Sequence, residues 1–410
     1  MMTGKHWFGL YFLAAVFCYS CQKDQVGQIA GIRIIDHPSQ AGGQSQLVAG
    51  SHENLLCSWL EYLDDTLVEL RYTALQDDEW TKSTTIGSGS NWFVNWADFP
   101  SVVDGAGFLA AHWLEYRGKG TYEYDVKIAL SADGRDWNQT LVPHRDSVKA
   151  EHGFVSLLPT MENDLMAVWL DGRFTEIADQ QGDGHHHGGG AMTLRTAVIS
   201  KEGKITDEYE LDHRVCDCCQ TDAAMTDQGP VVVYRNRTET EIRDIYLVRM
   251  VEGVWQEPYP VHNDHWKIGG CPVNGPAVSA MGNQVVVVWY TMADNIPRVK
   301  LSFSRDAGAN FDSVMMLSHH QPLGRVDVEF IDAKTVLATW MEETEGHAQI
   351  MAAIVTTDLH RSPSFSLVET SSSRSSGFPQ IARVNNRVYL SWTAVDSDDS
   401  KVKTAEILFR

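Results

Sequence analysis

The sequence predicts an all-β chain folded as a β-propeller of seven four-stranded blades, with an N-terminal strand completing the last blade. Three observations predict it. First, short apolar runs that end in an aromatic and a polar residue recur as "LLCSWLE", "FLAAHWLE", "LMAVWLD", "PVVVYRN", "QVVVVWY", "TVLATWME" and "VYLSWTA". Their anchors Trp59, Trp113, Trp169, Tyr234, Trp289, Trp340 and Trp392 lie 51 to 65 residues apart. Second, the same four pieces surround each anchor, as in "PAVSA", "QVVVVWY", "RVKLSFS" and "SVMMLS", divided by "MGN", "TMADNIP" and "RDAGANFD". Val-rich runs of four to eight residues, punctuated by Gly and Asn, are strand signals, and four-stranded sheets repeated radially make a propeller. Third, the last repeat holds only "FPQIARV", "RVYLSWTA" and "VKTAEILFR", so "GQIAGIRIID" near the N-terminus supplies the missing strand. Closure of that kind leaves no open edge between first and last blades. Six blades with an outlying strand pair is the alternative count.

In chain order, residues 1–21 place Lys5 and His6 before an apolar run from Trp7 to Cys18, which is short for a bilayer span and reads as a secretory signal. Ser20-Cys21 before "QKDQ" resembles the end of a bacterial lipoprotein signal, in which Cys21 becomes the lipidated residue. The expectation is therefore a signal at 1–21, a tether at 22–27 and one propeller at 28–410, carried on the bacterial envelope. An ordinary cleaved signal is the alternative. The net charge of −21 repels phosphate backbones and anionic headgroups. Nucleic acid is excluded as a partner, and the membrane is reached only through the lipid anchor; a monomer is expected.

Two connections carry the soft chemistry. "RVCDCCQTD" joins blade three to blade four with Cys216, Cys218 and Cys219, and "HNDHWKIGGCPVNGP" joins blade four to blade five with His262, His265 and Cys271. As neighbours in the ring they bring four thiols together, either as two cross-connection disulfides or as a copper or zinc site assisted by His262 or His265. Cys57 in "LLCSW" reads as a core residue. "GHHHGGG", with His185, His186 and His187, is a solvated loop that binds metal only if it is ordered.

"SRDAGANF" fits the Asp-box of the sialidase and BNR-repeat families in Ser304, Asp306, Gly308 and Phe311, and "SADGRDW" repeats it one residue short in Ser131, Asp133, Gly134 and Trp137. The chain thus resembles that propeller superfamily over nearly its whole mature length. The boxes close tight turns, which makes the opposite face the working one. The resemblance implies a carboxylate clamp of three arginines, a tyrosine nucleophile paired with a glutamate, and an aspartate as acid/base. Arg243, Arg298 and Arg325 are the clamp candidates, with Arg173, Arg214 and Arg374 behind them. Asp98, Glu151, Asp222 and Asp327 stand where blades begin, and Tyr124 is the reachable phenol. The family's F-R-I-P motif is absent, so these residues are physical candidates and none is transferred by motif.

Trp92, Phe93 and Trp96 in "SNWFVNWADFP" read as a sugar-stacking surface or as a plug for the channel. Three functions follow. The first is an extracytoplasmic, sialidase-like exo-glycosidase acting on a glycan or acidic sugar. The second is a copper or zinc protein of the envelope without hydrolase activity, and the third is a non-catalytic scaffold that binds glycan or protein.

Overall fold

A computed structural model describes residues 27–410 except 106, 138, 176–189, 345–346 and 397–398. The signal and tether through residue 26, with Cys18 and Cys21, and the His185, His186 and His187 loop lie outside the described residues.

Seven antiparallel sheets form the ring. Their first strands are Gly42–Ala49, Ser101–Asp104, His152–Pro159, Asp222–Thr226, Ala277–Met281, Gln321–Asp332 and Gln380–Val384. Each packs against the next and the seventh packs against the first, so the circle closes without an added element. Ile29–Ile35 pairs antiparallel with Asp399–Phe409, with Ile29 opposite Phe409, and completes the seventh blade. The count is seven, and the alternative of six falls. No helix among the described residues is long and apolar enough to cross a membrane.

The repeat has a physical cause in the second strands. Side chains two apart in a strand share a face, so an aromatic followed two residues later by a carboxylate supplies its own partner. Trp59 donates its indole N–H to Glu61 at 2.6 Å, Trp169 to Asp171 at 2.8 Å and Trp340 to Glu342 at 2.8 Å. Blades four and five borrow the acceptor from a connection or neighbouring strand. Tyr234 donates to Asp212 at 2.6 Å and Trp289 to Asp264 at 2.7 Å. A buried indole or phenol left without an acceptor would lose much of what its burial contributes. The apolar core accordingly lies between blades. Val103, Tyr124 and Val126 of blade two meet Leu157, Leu165 and Trp169 of blade three, and blades five and six meet in the same way.

The first strands of blades one, three and six each carry a bulge near the upper rim, with Gln44, Phe154 and Arg325 at φ of 50°, 52° and 51°. A left-handed residue without glycine's freedom is strained, and here it turns a large side chain out of the sheet and under the upper loops. Below, Ser304 Oγ accepts from Gly308 N–H at 2.9 Å while Asp306 accepts from Asn310 N–H at 2.9 Å. Ser131, Asp133 and Gly134 repeat that turn, and Trp137 is buried beneath it.

Candidate functional site

The two cysteine connections meet on the upper face. Cys216 lies at the end of the long fourth strand of blade three, Ile205–Val215, where its N–H donates to Arg235 C=O at 2.9 Å and so clips the connection onto blade four. Its Sγ stands 3.8 Å from Cys218 Sγ and 3.7 Å from Cys219 Sγ, and the three sulfurs fit within one 4.8 Å group. From the next connection Cys271 comes close enough to Cys218 for the two thiols to shift each other's ionisation, Cys218 upward and Cys271 downward. All four are free thiols, so the disulfide expectation is not what this structure holds; a disulfide needs about 2.05 Å between sulfurs.

Cations back the group in a strongly acidic chain. Arg243 donates Nη1 to Cys216 Sγ at 3.3 Å and holds Glu241 through Nε and Nη2 at 3.1 and 2.8 Å. Arg235 donates to Asn274 C=O at 2.7 Å, to Tyr290 C=O at 2.8 Å and to Arg243 C=O at 2.7 Å, with Trp266 against its plane. It thereby pins the second connection over the first. Burial pushes the Cys216 thiol up to about 11. Burial opposes ionisation of Cys219 as well, but hydrogen bonds from Cys216 and Cys218, the Arg235 charge and the Asn274 amide hold it well below its ordinary value. Cys218 is pushed well above its ordinary value by its contacts with Cys216, Cys219 and Cys271 and by burial, so Cys219 is the one inner sulfur whose surroundings favour thiolate.

His262 and His265 do not join it. His262 Nδ1 meets Asp264 at 2.7 Å, and that carboxylate is already the acceptor for Trp289 and Lys300, which draws the ring toward blade five. His265 sits at φ 55° with its N–H on Asp244, and its side chain is exposed.

The carboxylate candidates divide. Tyr124 donates its phenol to Glu151 at 2.6 Å, and Asp98, held by Phe154 N–H at 2.7 Å, faces the same ring across Gly153. A Cβ at 153 would fall 2.2 Å from Asp98 Oδ2 and 3.0 Å from the Tyr124 ring, so only glycine fits there. Burial, then the fields of Asp98, Asp217 and Cys271, push the Glu151 carboxyl up to about 8 against the Tyr124 bond. Burial also raises Asp98 to about 7. Since Glu151 shares a field with Cys271, and the exposed Tyr122 with Glu151, Cys271 and Cys218, this trio borders the thiol group. Tyr124 itself is fully buried, with Phe93 stacked on it at 4.0 Å, and burial drives its phenol well above the ordinary value.

Asp222 and Asp327 line the central channel, a cavity of about 340 Å³, where burial and then the field of Asp222 push the Asp327 carboxyl well above its ordinary value, but both are taken up by backbone amides. Asp222 accepts from Val278 N–H and Asp327 from Ile381 N–H, each at 2.7 Å, stitching one first strand to the next as Asp98 does.

The three clamp arginines do not share a ligand position. Arg243 is spent on Glu241 and Cys216. Arg325, 6% exposed, is held by Ser376 Oγ at 2.6 Å and by the carbonyls of Ser373 and Gly377, with Trp96 stacked on it. Arg298 reaches Ala293 C=O at 3.4 Å. The loop aromatics are packed likewise, Trp92 on Trp113 and Trp96 on Phe378, which favours the plug over the sugar platform.

Sequence reasoning missed Arg235, whose signal was a cation at the end of the apolar run "VVVYR". It also missed a buried group behind Tyr124 and Glu151. Alternation turns the next residues, Asp125 and His152, the opposite way. His152 stacks on His144 with centroids 3.8 Å apart and planes 3° from parallel. Asp146 Oδ2 receives His144 Nδ1 at 3.1 Å and His152 Nε2 at 3.2 Å, with Asp171, Arg173 and Arg117 completing the network.

Solved structures share this architecture. A protein of unknown function from Dyadobacter fermentans DSM 18053 is similar with a TM-score of 0.53 and 11% identity, over 94% of this chain and 100% of that one. The polysaccharide lyase Uly1 is similar at 0.52 and 9%, over 90% of each chain. The phage phi92 endosialidase is similar at 0.50 and 7%, over 93% of this chain and 69% of that one. What they share with this chain is the propeller fold. No family model matches the chain, and no curated protein matches its sequence.

Proposed function

We propose that this chain is an extracytoplasmic, envelope-anchored metal-binding propeller whose upper face takes one thiophilic ion of the copper(I) or zinc(II) class through Cys216, Cys218 and Cys219, with Cys271 adjoining. The observation that carries this reading is the sulfur spacing of 3.7 and 3.8 Å. A tetrahedral ion with bonds of about 2.3 Å sets its sulfurs about 3.8 Å apart, so the thiols need little movement to become ligands. Arg235 and Arg243 offset the charge of the thiolates. The test is metal titration of the reduced protein with zinc(II) and with copper(I). One ion per chain is expected, lost in Cys216→Ser and Cys219→Ser. Full thiol titre with no bound metal would end the proposal.

A second reading is favoured by the Tyr124–Glu151 bond with Asp98 beside it, namely glycan cleavage of the sialidase type; since Tyr124 is fully buried under Phe93 and not the reachable phenol expected, it requires Phe93 to lift away before substrate meets the phenol. The propeller fold shared with an endosialidase and a polysaccharide lyase supports a glycan ligand of some kind. Release of fluorophore from acidic-sugar glycosides, abolished in Tyr124→Phe, is its expected result. Silence across the panel would remove hydrolysis and leave the metal reading untouched.

A further inference from the structure

We infer that Cys271 is the port through which the ion reaches the buried thiols by ligand exchange, and not one of its resting ligands. This deepens the metal reading and rests on it.

The four sulfurs are arranged as a ladder. Cys271 is exposed, Cys218 is half-buried, and Cys216 and Cys219 are each 1% exposed. Proximity follows the same order: Cys271 on the neighbouring connection lies outside the inner group but within electrostatic reach of Cys218, Cys218 meets Cys216 at 3.8 Å, and Cys216 meets Cys219 at 3.7 Å. Cys271 does not belong to the group of sulfurs that all lie within 4.8 Å of one another. It is also carried differently. The inner three ride on a connection clipped between two blades, whereas Gly269 and Gly270, with open space where their Cβ atoms would stand, precede Cys271. A sulfur on such a segment can swing toward solvent and back without disturbing the inner set. Asp217 adds negative field around it, which favours approach of a cation.

The steps balance without any change of oxidation state. A thiol-bound copper(I) donor in solution forms a bond to Cys271 sulfur as its own copper–sulfur bond breaks, and the proton of Cys271 leaves on the donor thiolate. The ion then passes to Cys218, whose proton returns to Cys271. These two transfers each make one metal–sulfur bond and break one; the bonds to Cys219 and Cys216 then add to the Cys218 bond, any proton still on those sulfurs leaving to solvent, so the ion stays coordinated throughout.

Copper(I) presented as its glutathione complex to the full chain, followed by stopped-flow thiolate absorption, tests this. Cys271→Ser should reach the same final occupancy as the parent but load roughly tenfold more slowly, because buried thiols otherwise meet a donor only during opening fluctuations. Alkylation of the metal-free parent by limiting iodoacetamide should modify Cys271 first and reproduce the slow loading, which separates the effect from any misfolding of the variant. Unchanged loading in both cases overturns the proposal. Loss of the bound ion in Cys271→Ser also overturns it, by making Cys271 a resting ligand. A parent that binds no copper(I) at all would instead be the failure of the metal reading.

Discussion

The thiol group and the imidazole–carboxylate group lie on either side of one strand pair, and they differ in how completely their own neighbours satisfy them. Behind Tyr124 and Glu151, His152 Nδ1 donates to the carbonyls of Ala150 and Tyr124 while Nε2 meets Asp146. Arg173 pairs with Asp146 and Asp171 at 3.4 and 2.7 Å, and Arg117 with Asp125 at 3.5 Å. With His152 protonated, those cations balance the three carboxylates. The two rings lie face to face, an arrangement in which their in-plane lone pairs cannot aim at one ion. This group bolts the connection 142–150 to blades two and three. In front, the thiols have mainly each other, and sulfur is a weak hydrogen-bond donor and acceptor. Clusters of metal-ligating residues are therefore told apart by what already neutralises them: in the imidazole–carboxylate group His144 Nε2 is left without a hydrogen bond, but the charges are matched, whereas the thiol group is matched far less.

The largest expected effect comes from breaking the bolt. Asp146→Asn removes the carboxylate shared by His144, His152 and Arg173, and should destabilise folding by about 1 to 3 kcal/mol in a denaturant titration. Metal stoichiometry at the thiols should stay as it is. If that variant lost metal and kept its stability, the roles of the two groups would be exchanged.

The pH dependence of melting is a milder probe. Burial works against the His152 imidazolium, but Asp146 and Asp171 raise its pKa above the ordinary 6.5. Its contribution is therefore complete below about 6.5 and is lost as pH rises through the folded value. Asp146 is shifted down against its burial by the hydrogen bond and charge of His152, and Asp171 by Arg173 and His152, so their contribution is present above the ordinary 3.8 and lost as pH falls through the folded values. Thermal stability should be greatest between about pH 4 and 6.5, and the alkaline decline should flatten in Asp146→Asn. A parent and variant with parallel profiles would deny the network this role.

How far the sequence reaches differs between fold and site. The aromatic anchors spell out the blades because each fills the same buried place in a second strand, and in blades one, three and six an acceptor two residues on, Glu61, Asp171 or Glu342, adds a local mark; Trp113 is buried without one. The closing strand was legible from a count of apolar runs. Tyr124, Glu151 and Asp98 were found separately from their places at loop ends and blade starts, and the ring brings them together. The arginines misled, because a cation beside a loop looks the same whether it waits for a ligand or, like Arg325, is already filled by Ser373, Ser376 and Gly377. His262 misled for a similar reason, since Asp264 claims it. His144, Asp146 and His152 stand close in the sequence, but their meeting depends on how the irregular connection 142–150 folds back onto the start of blade three, which no periodicity marks.

The most direct measurement is native mass spectrometry of the reduced, full-length chain after exposure to copper(I) or zinc(II), with thiols counted in parallel. The account predicts one bound ion that disappears in Cys216→Ser, persists in Asp146→Asn and shields Cys216, Cys218 and Cys219 from alkylation. An apo mass with all three of those thiols reactive, or an ion that survives the loss of Cys216, would contradict it.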